Sequence, residues 1–279
     1  MWPWLKILRP QQWIKNLILL FPPFFGGVIQ ETEVIRKSLF AVVVFCLASS
    51  ATYVVNDLLD AEKDLMHPTK KNRPIPSGAL SPANAWLLAA VLLALSLLGG
   101  YWISSIFLFI LLGYIVLFGA YSFTLKDIII VDIFCVAAGF LLRLQAGSEA
   151  SAIPVSEWLF LTVFLLAVFL SAGKRMSEKH VLGEEAHDHR PSLADYEIDF
   201  LNGIVFITAS AVLVTYTIYV LARPSLVYTV PLCCYGLFRY IFRIQKGHNG
   251  DPTISLLCDR HLLFVGVAWL LMIGAGIYF

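Results

Sequence analysis

Residues 38–64 read S-L-F-A-V-V-V-F-C-L-A-S-S-A-T-Y-V-V-N-D-L-L-D-A-E-K-D. An apolar run closes directly on the carboxylates of Asp57, Asp60, Glu62 and Asp64. A helix of about twenty apolar residues crosses the roughly 30 Å of a bilayer's hydrocarbon. The spacing therefore predicts a membrane span over 38–58 that delivers its acidic end to the water interface. The same scale places further spans at 14–30, 83–103, 105–122, 128–147, 156–173, 200–221, 225–243 and 261–279, nine in all. Pro22, Pro23, Gly26 and Gly27 interrupt the first, and a very short turn around Ser104-Ser105 joins the third to the fourth. The expected fold class is an all-α integral membrane bundle of nine transmembrane helices, a single domain over 1–279, with a polar cavity on the cytoplasmic side.

Composition agrees. Hydrophobic residues make up 59% of the chain and charged residues 14%, with a mean hydropathy of +0.78. A soluble domain carries ~45–50% apolar and ~25% charged residues, so soluble and disordered classes are excluded. A net charge of +1, from 20 basic and 19 acidic residues, provides no broad basic face for nucleic acid. The loops are more informative. With alternate loops on alternate sides, sixteen Lys and Arg residues share a side with the N-terminus. Arg36, Lys37 and Arg223 lie opposite, and Arg143 falls inside a span. Basic loops stay in the cytoplasm, so the N-terminus is predicted inside and the C-terminus outside.

Cys46, Cys135, Cys233, Cys234 and Cys258 show no CxxC spacing, and four lie in apolar runs, so neither a disulfide framework nor a zinc site is expected. No small-residue cleavage signature is present, and no removable signal peptide is expected. No GxSxG, HExxH, GxxxxGK[ST] or GxGxxG pattern supports a hydrolase or a nucleotide fold. A homo-oligomer is left open by the sequence.

The segment after the second span continues as N56-D-L-L-D-A-E-K-D-L-M-H-P-T-K-K-N-R-P-I-P-S-G78. On a helix Asn56, Asp60 and Asp64 share a face, with Asp57 beside them. Like charges four apart repel, and a cation among them removes that cost. Mg²⁺ takes one or two carboxylates and completes its shell with water and substrate phosphate. Lys70, Lys71 and Arg73 follow on a stiff loop bounded by Pro74, Pro76 and Gly78, and supply phosphate-binding cations. Asn56, Asp57, Asp60 and Asp64 are thus candidate metal ligands, the three aspartates candidate catalytic groups, and Mg²⁺ the expected cofactor. His67 among hard carboxylates suits Mg²⁺ rather than Zn²⁺.

NDLLDAEKD resembles the first aspartate-rich motif, NDxxDxxxD, of the UbiA-type membrane prenyltransferase superfamily, whose members are nine-helix bundles with a lateral opening for a lipid. RPQQWIKN (9–16), the 56–78 segment, YSFTLK (121–126), GFLLRLQAG (139–147) and AGKRMSE (172–178) are similar to its polyprenyl (decaprenyl)-phosphate phosphoribosyltransferase branch. The resemblance implies transfer of 5-phosphoribosyl from phosphoribosyl diphosphate to a polyprenyl phosphate, an early step toward lipid-linked D-arabinofuranose for cell-wall arabinan. A prenyltransferase moving a polyprenyl chain onto an aromatic acceptor is the alternative, because both donors carry a diphosphate leaving group.

The remaining loops bear on that choice. Where a typical prenyl-transferring member has a second acidic motif, this chain has Lys174, Arg175 and Glu178. Two cations suit an extra phosphate, and Lys174 and Glu178 can face together if the helix continues. Asp195 and Asp199 have DxxxD spacing and read either as the acidic first turn of a helix or as a displaced second motif. Arg143 in an apolar span is costly unless it faces a polar cavity or a partner; Asp132 and Glu149 are its candidate partners, a substrate phosphate or ribose its functional one. By resemblance, Lys126 contacts phosphate, Tyr121 belongs to the same motif, and Asp132 binds ribose hydroxyls or orients a cation. Arg9, Lys15 and Asn16, in an aromatic and basic interfacial segment with Trp4 and Trp13, are candidates for the lipid phosphate, or a surface anchor.

Overall fold

The computed structural model describes residues 3–65, 70–182 and 191–279; the expectation for His67 falls outside them. Among the described residues eight helices are long and apolar enough to cross a membrane, which makes the chain a multi-pass integral membrane protein. They are α1 (Thr32–Leu59), α2 (Pro82–Ile103), α3 (Ser105–Phe123), α4 (Val131–Ser151), α5 (Glu157–Leu182), α6 (Ile198–Leu221), α7 (Val230–Gln245) and α8 (Arg260–Tyr278). The α7 span is entered through a 3₁₀ turn over Pro224–Thr229.

The expected first span differs from the rest. Its residues form a 3₁₀ helix, Pro10–Leu20, followed by a short α-helix, Phe21–Phe25. Two prolines remove backbone donors at the junction, so one continuous α-helix is unavailable. A 3₁₀ helix rises about 2.0 Å per residue against 1.5 Å, so the sixteen residues together reach roughly 30 Å. Nine continuous helices are therefore not what the described residues show: eight are, with this composite segment before them.

Two compact units divide the chain. The first comprises Met1–Lys126 and Leu142–Pro154, the second Asp127–Leu141 and Val155–Phe279. In the first, Phe45, Phe107, Leu111 and Tyr114 form the centre of a core that also takes in Leu19 and Ala146. Gly147 lets two backbones meet there: a Cβ at this position would stand 2.1 Å from the carbonyl oxygen of Leu19. That contact seats the 3₁₀ segment carrying Asn16. The break between α2 and α3 is one residue, Ser104, in extended conformation. Its Oγ accepts from the Phe107 amide at 3.0 Å, capping α3, and donates to Glu149 at 2.7 Å.

In the second unit, Phe169, Met176, Tyr196, Leu201, Val205 and Tyr240 are among the buried residues of the core. Asp259 caps α8, accepting from the amides of His261 and Leu262 at 3.0 Å each, and takes Arg239 at 2.9 Å and Arg243 at 2.8 Å. Burial opposes ionisation of this carboxyl, but the hydrogen bonds from Arg239, Leu262 and Arg243 outweigh it and hold Asp259 well below the usual carboxylate range. Large apolar side chains such as Trp102, Phe109, Ile207 and Phe264 remain exposed, as lipid-facing positions should.

Candidate active site

In the first unit, α1 ends at Leu59, one residue short of Asp60. Asp60 leaves helical geometry (φ −93, ψ 3) and a one-turn helix, Ala61–Leu65, follows. The i to i−4 ladder survives the break: the Asp60 amide donates to the Asn56 carbonyl at 3.0 Å, and that of Asp64 to the Asp60 carbonyl at 2.8 Å. Asn56, Asp60 and Asp64 thus stay on one turn-by-turn ladder, as their spacing predicts.

Protein cations meet these carboxylates. Asp57, 2% exposed, receives Arg9 Nη2 at 2.5 Å and Arg73 Nη1 at 3.0 Å on the same oxygen, Oδ1. The same Arg73 nitrogen lies 2.5 Å from Asp64 Oδ2. Asp60 accepts Lys126 Nζ at 2.5 Å on one oxygen and the Asn56 amide at 3.0 Å on the other. Burial pushes the Asp64 carboxyl up, against the opposing charges of Arg73 and Lys70, and the neighbouring charge of Asp57 adds to the rise. Arg9 adopts a left-handed backbone (φ 52, ψ 59) directly before Pro10, a costly conformation for a non-glycine residue. Its ion pair and its position 5.1 Å over the Tyr53 ring hold it there.

The donor set suits a hard cation. Among the described residues no three His, Cys, Asp or Glu side chains converge to hold a metal by themselves. Two do approach one point: Asp57 and Asp64 lie within hydrogen-bond reach of a single Arg73 nitrogen. Two carboxylates with substrate phosphate completing the shell is the usual pattern for Mg²⁺, and the residues fit it.

Deeper in this unit Arg143 is 3% exposed. Its Nε donates to Asn16 Oδ1 at 2.7 Å and its Nη2 to the Tyr114 hydroxyl at 2.7 Å, with the guanidinium 5.9 Å from the Phe118 ring centroid. Asn16 in turn donates to Ser49 at 3.1 Å. Of the two carboxylates that the sequence offers as partners for this arginine, Glu149 accepts from Ser104 and Asp132 takes Arg175. Tyr121 is half-buried against Phe118, and Lys15 is half-buried next to Asn16. Lys70 is half-buried and Lys71 exposed.

The second unit carries its own polar cluster. Helix α5 runs well past the expected end of its span, so Lys174 and Glu178 do share a face, Nζ and Oε1 being 3.9 Å apart. Arg175 is buried: Nε donates to Asp132 at 2.6 Å and Nη1 to Glu178 at 2.6 Å. The other Asp132 oxygen accepts from the Tyr196 hydroxyl at 2.6 Å. That hydroxyl also accepts the Ile130 amide at 2.7 Å, and Ile130 is itself strained at φ 67. Burial, and then the adjacent Asp132 carboxylate, push the Tyr196 phenol well above its ordinary value. Lys179 donates to the Tyr196 carbonyl. Asp195 is exposed, and Asp199 lies exposed in the first turn of α6.

Two participants, Tyr196 and Asp251, carry no site assignment from the sequence, and a third, Arg9, has a different partner from the one expected. Tyr196 had no assigned role, and no local pattern marks it. Asp251, 3.6 Å from Lys174, caps a short helix (Pro252–Cys258); the D-P-T run is a capping signal that could have located it. Arg9 was assigned to a lipid phosphate, and its pairing with Asp57 lies 48 residues away along the chain.

Residues 19–265 match the sequence profile of the UbiA prenyltransferase family. The chain is 35% identical to the decaprenyl-phosphate phosphoribosyltransferase of Mycolicibacterium smegmatis, over 99% of this chain and 92% of that protein. It is 34% identical to the enzyme of the same name from Mycobacterium tuberculosis, over 98% and 94%. Its fold is similar to that of a UbiA homolog from Archaeoglobus fulgidus bound to GPP and Mg²⁺, with a TM-score of 0.76 at 20% identity and 99% of each chain covered.

Proposed function

The chain belongs to the UbiA prenyltransferase family, and within it we propose that the protein transfers 5-phosphoribosyl from phosphoribosyl diphosphate to a polyprenyl phosphate, releasing diphosphate. The observation that carries this reading is near-full-length similarity, at 34–35% identity, to proteins named for that activity. The cationic stretch Lys174–Arg175, where prenyl-transferring members carry a second acidic motif, supports it.

The lipid phosphate oxygen attacks ribose C1 as the bond from C1 to the diphosphate oxygen breaks. A phosphate monoester is anionic near neutral pH, so no strong general base is needed, and positioning and electrostatics carry the rate. In-line attack inverts C1 and gives a β-linked product from an α-diphosphate donor. Asp57, Asp60 and Asp64, with Asn56 assisting, are assigned to Mg²⁺. A bound Mg²⁺ offsets charge on the leaving oxygens. Lys70, Arg73 and Lys126 are assigned to the same oxygens, with Tyr121 beside them. Lys15, Asn16 and Arg143 remain assigned to substrate phosphate, with Arg143 and Asn16 fixing each other's orientation.

In the second unit, Lys174 and Glu178 have side chains 37% and 35% exposed, so they are assigned to direct contact with the donor. Arg175 and Asp132 are buried and are assigned to setting the position of that pair. The charge asymmetry of the loops supports a cytoplasmic N-terminus and a site opening to the cytoplasm.

Lipid mass spectrometry on the purified protein with Mg²⁺ tests the reading. One reaction holds phosphoribosyl diphosphate and polyprenyl phosphate, the other polyprenyl diphosphate and 4-hydroxybenzoate. A lipid gaining a phosphoribosyl mass, lost in Asp60→Asn and with EDTA, is the expected result. Prenylated aromatic in the second reaction alone overturns it.

A further inference from the structure

The candidate metal ligands of the first unit are charge-balanced by cations of the chain itself. Asp57, Asp60 and Asp64 are matched by Arg9, Arg73 and Lys126, each within 3.0 Å. Arg73 is the central member, because one of its nitrogens touches two carboxylates of which Asp57 is almost wholly buried. A dication added to this arrangement would meet a guanidinium already standing between its two best ligands. A metal–diphosphate complex would not. It brings phosphate oxygens that accept the guanidinium's donors in exchange for the carboxylates it gives up.

The surrounding structure lets the head group of Arg73 exchange partners without moving its loop. The Arg73 amide donates to Lys70 at 2.9 Å, its carbonyl accepts from Ser77 at 3.0 Å, and Lys6 donates to the Asn72 carbonyl at 2.7 Å. Ile75 and Leu80 are buried with Ile7 and Val54. The Arg73 side chain is 24% exposed, so its end is accessible while its base is fixed.

We propose that Arg73 keeps the place of the divalent cation between Asp57 and Asp64 and yields it only to a metal that arrives with diphosphate. Arg73 is thus a specificity-determining residue: it makes metal and diphosphate bind jointly and excludes free divalent ions. This inference rests on the metal–diphosphate part of the reading above and not on which group is transferred. Coupling of this kind is reciprocal, so pyrophosphate tightens the metal by the same factor that the metal tightens pyrophosphate.

Equilibrium dialysis of the full-length protein in detergent tests it, with Mn²⁺ as the metal and inorganic pyrophosphate as the diphosphate. In wild type, saturating pyrophosphate is expected to tighten protein-bound Mn²⁺ at least tenfold. Arg73→Gln is expected to bind Mn²⁺ alone at least tenfold more tightly than wild type and to lose most of the pyrophosphate enhancement. Should Arg73→Gln not yield folded protein, Arg73→Lys replaces it, and its ammonium, which lacks the guanidinium fork, is expected to give a smaller change in the same direction. Wild-type Mn²⁺ affinity indifferent to pyrophosphate overturns the proposal, as does a variant that binds Mn²⁺ alone no more tightly than wild type. Pyrophosphate is common to phosphoribosyl and prenyl donors. Failure of the phosphoribosyl-transfer assay therefore leaves this outcome unaffected, and the two readings fail separately.

Discussion

Tyr196→Phe removes one oxygen and nothing else, and that oxygen joins two strained or charged partners. The phenol donates to Asp132 at 2.6 Å and accepts from the Ile130 amide at 2.7 Å. A hydrogen bond to a charged acceptor contributes about 1.5–3 kcal/mol, and a buried donor left unsatisfied costs about 1–3 kcal/mol. Release of Ile130 from its left-handed conformation returns about 1 kcal/mol. The net loss is about 3 kcal/mol, which for a chain of this size lowers the melting temperature by roughly 5 °C. The ring and its stacking on Phe200 are retained, so the change reports the hydroxyl alone. Thermal unfolding in detergent at a fixed scan rate measures it. A double-mutant cycle with Asp132→Asn is expected to show coupling of more than about 1 kcal/mol, because the two side chains share one bond. A drop below about 2 °C, or additive effects in the cycle, would refute the claim that Tyr196 anchors Asp132 and through it Arg175.

Three further outcomes follow from particular contacts. Gly147→Ala places a methyl 2.1 Å from the Leu19 carbonyl, which only backbone movement can relieve, and is expected to cost about 1–3 kcal/mol in thermal unfolding. Lys174→Met, in a loose and half-exposed pair, is expected to leave the melting temperature within about 2 °C, while raising KM for phosphoribosyl diphosphate about tenfold in a lipid-product assay. Asp259 is held below its usual range, so its contribution is present above the ordinary aspartate value of about 4 and is lost as pH falls through the depressed value. The melting gap between wild type and Asp259→Asn is therefore expected to be widest at pH 7 and to close under strong acid; a gap that widens on acidification would contradict the ion-pair assignment.

Much of the fold was legible because its causes are local. Transfer of an apolar run into lipid and closure of i to i−4 hydrogen bonds both act within some twenty residues. Eight spans accordingly appear near their expected positions, and the one-residue break at Ser104 falls where the sequence places it. The 10–25 segment departs because its prolines block a continuous α-helix, and because packing against Gly147, far along the chain, seats it as a 3₁₀ helix. Part of the candidate site was legible for the same local reason: Asn56, Asp60 and Asp64 recur every fourth residue, and so do Lys174 and Glu178.

Partner choice among the charges was decided by the tertiary structure alone. Arg9 meets Asp57 across 48 residues, Lys126 meets Asp60 across 66, and Tyr196 meets Asp132 across 64. The sequence by itself determined the number and kind of charged groups at the helix ends, and that Arg143, inside an apolar span, is costly without a polar partner. Which cation answers which carboxylate depends on the packing of α1 against the 3₁₀ segment and of Tyr196 into the α5–α6 core. Burial makes each unmatched charge costly, and only the folded chain brings residues dozens of positions apart to within 3 Å of one another.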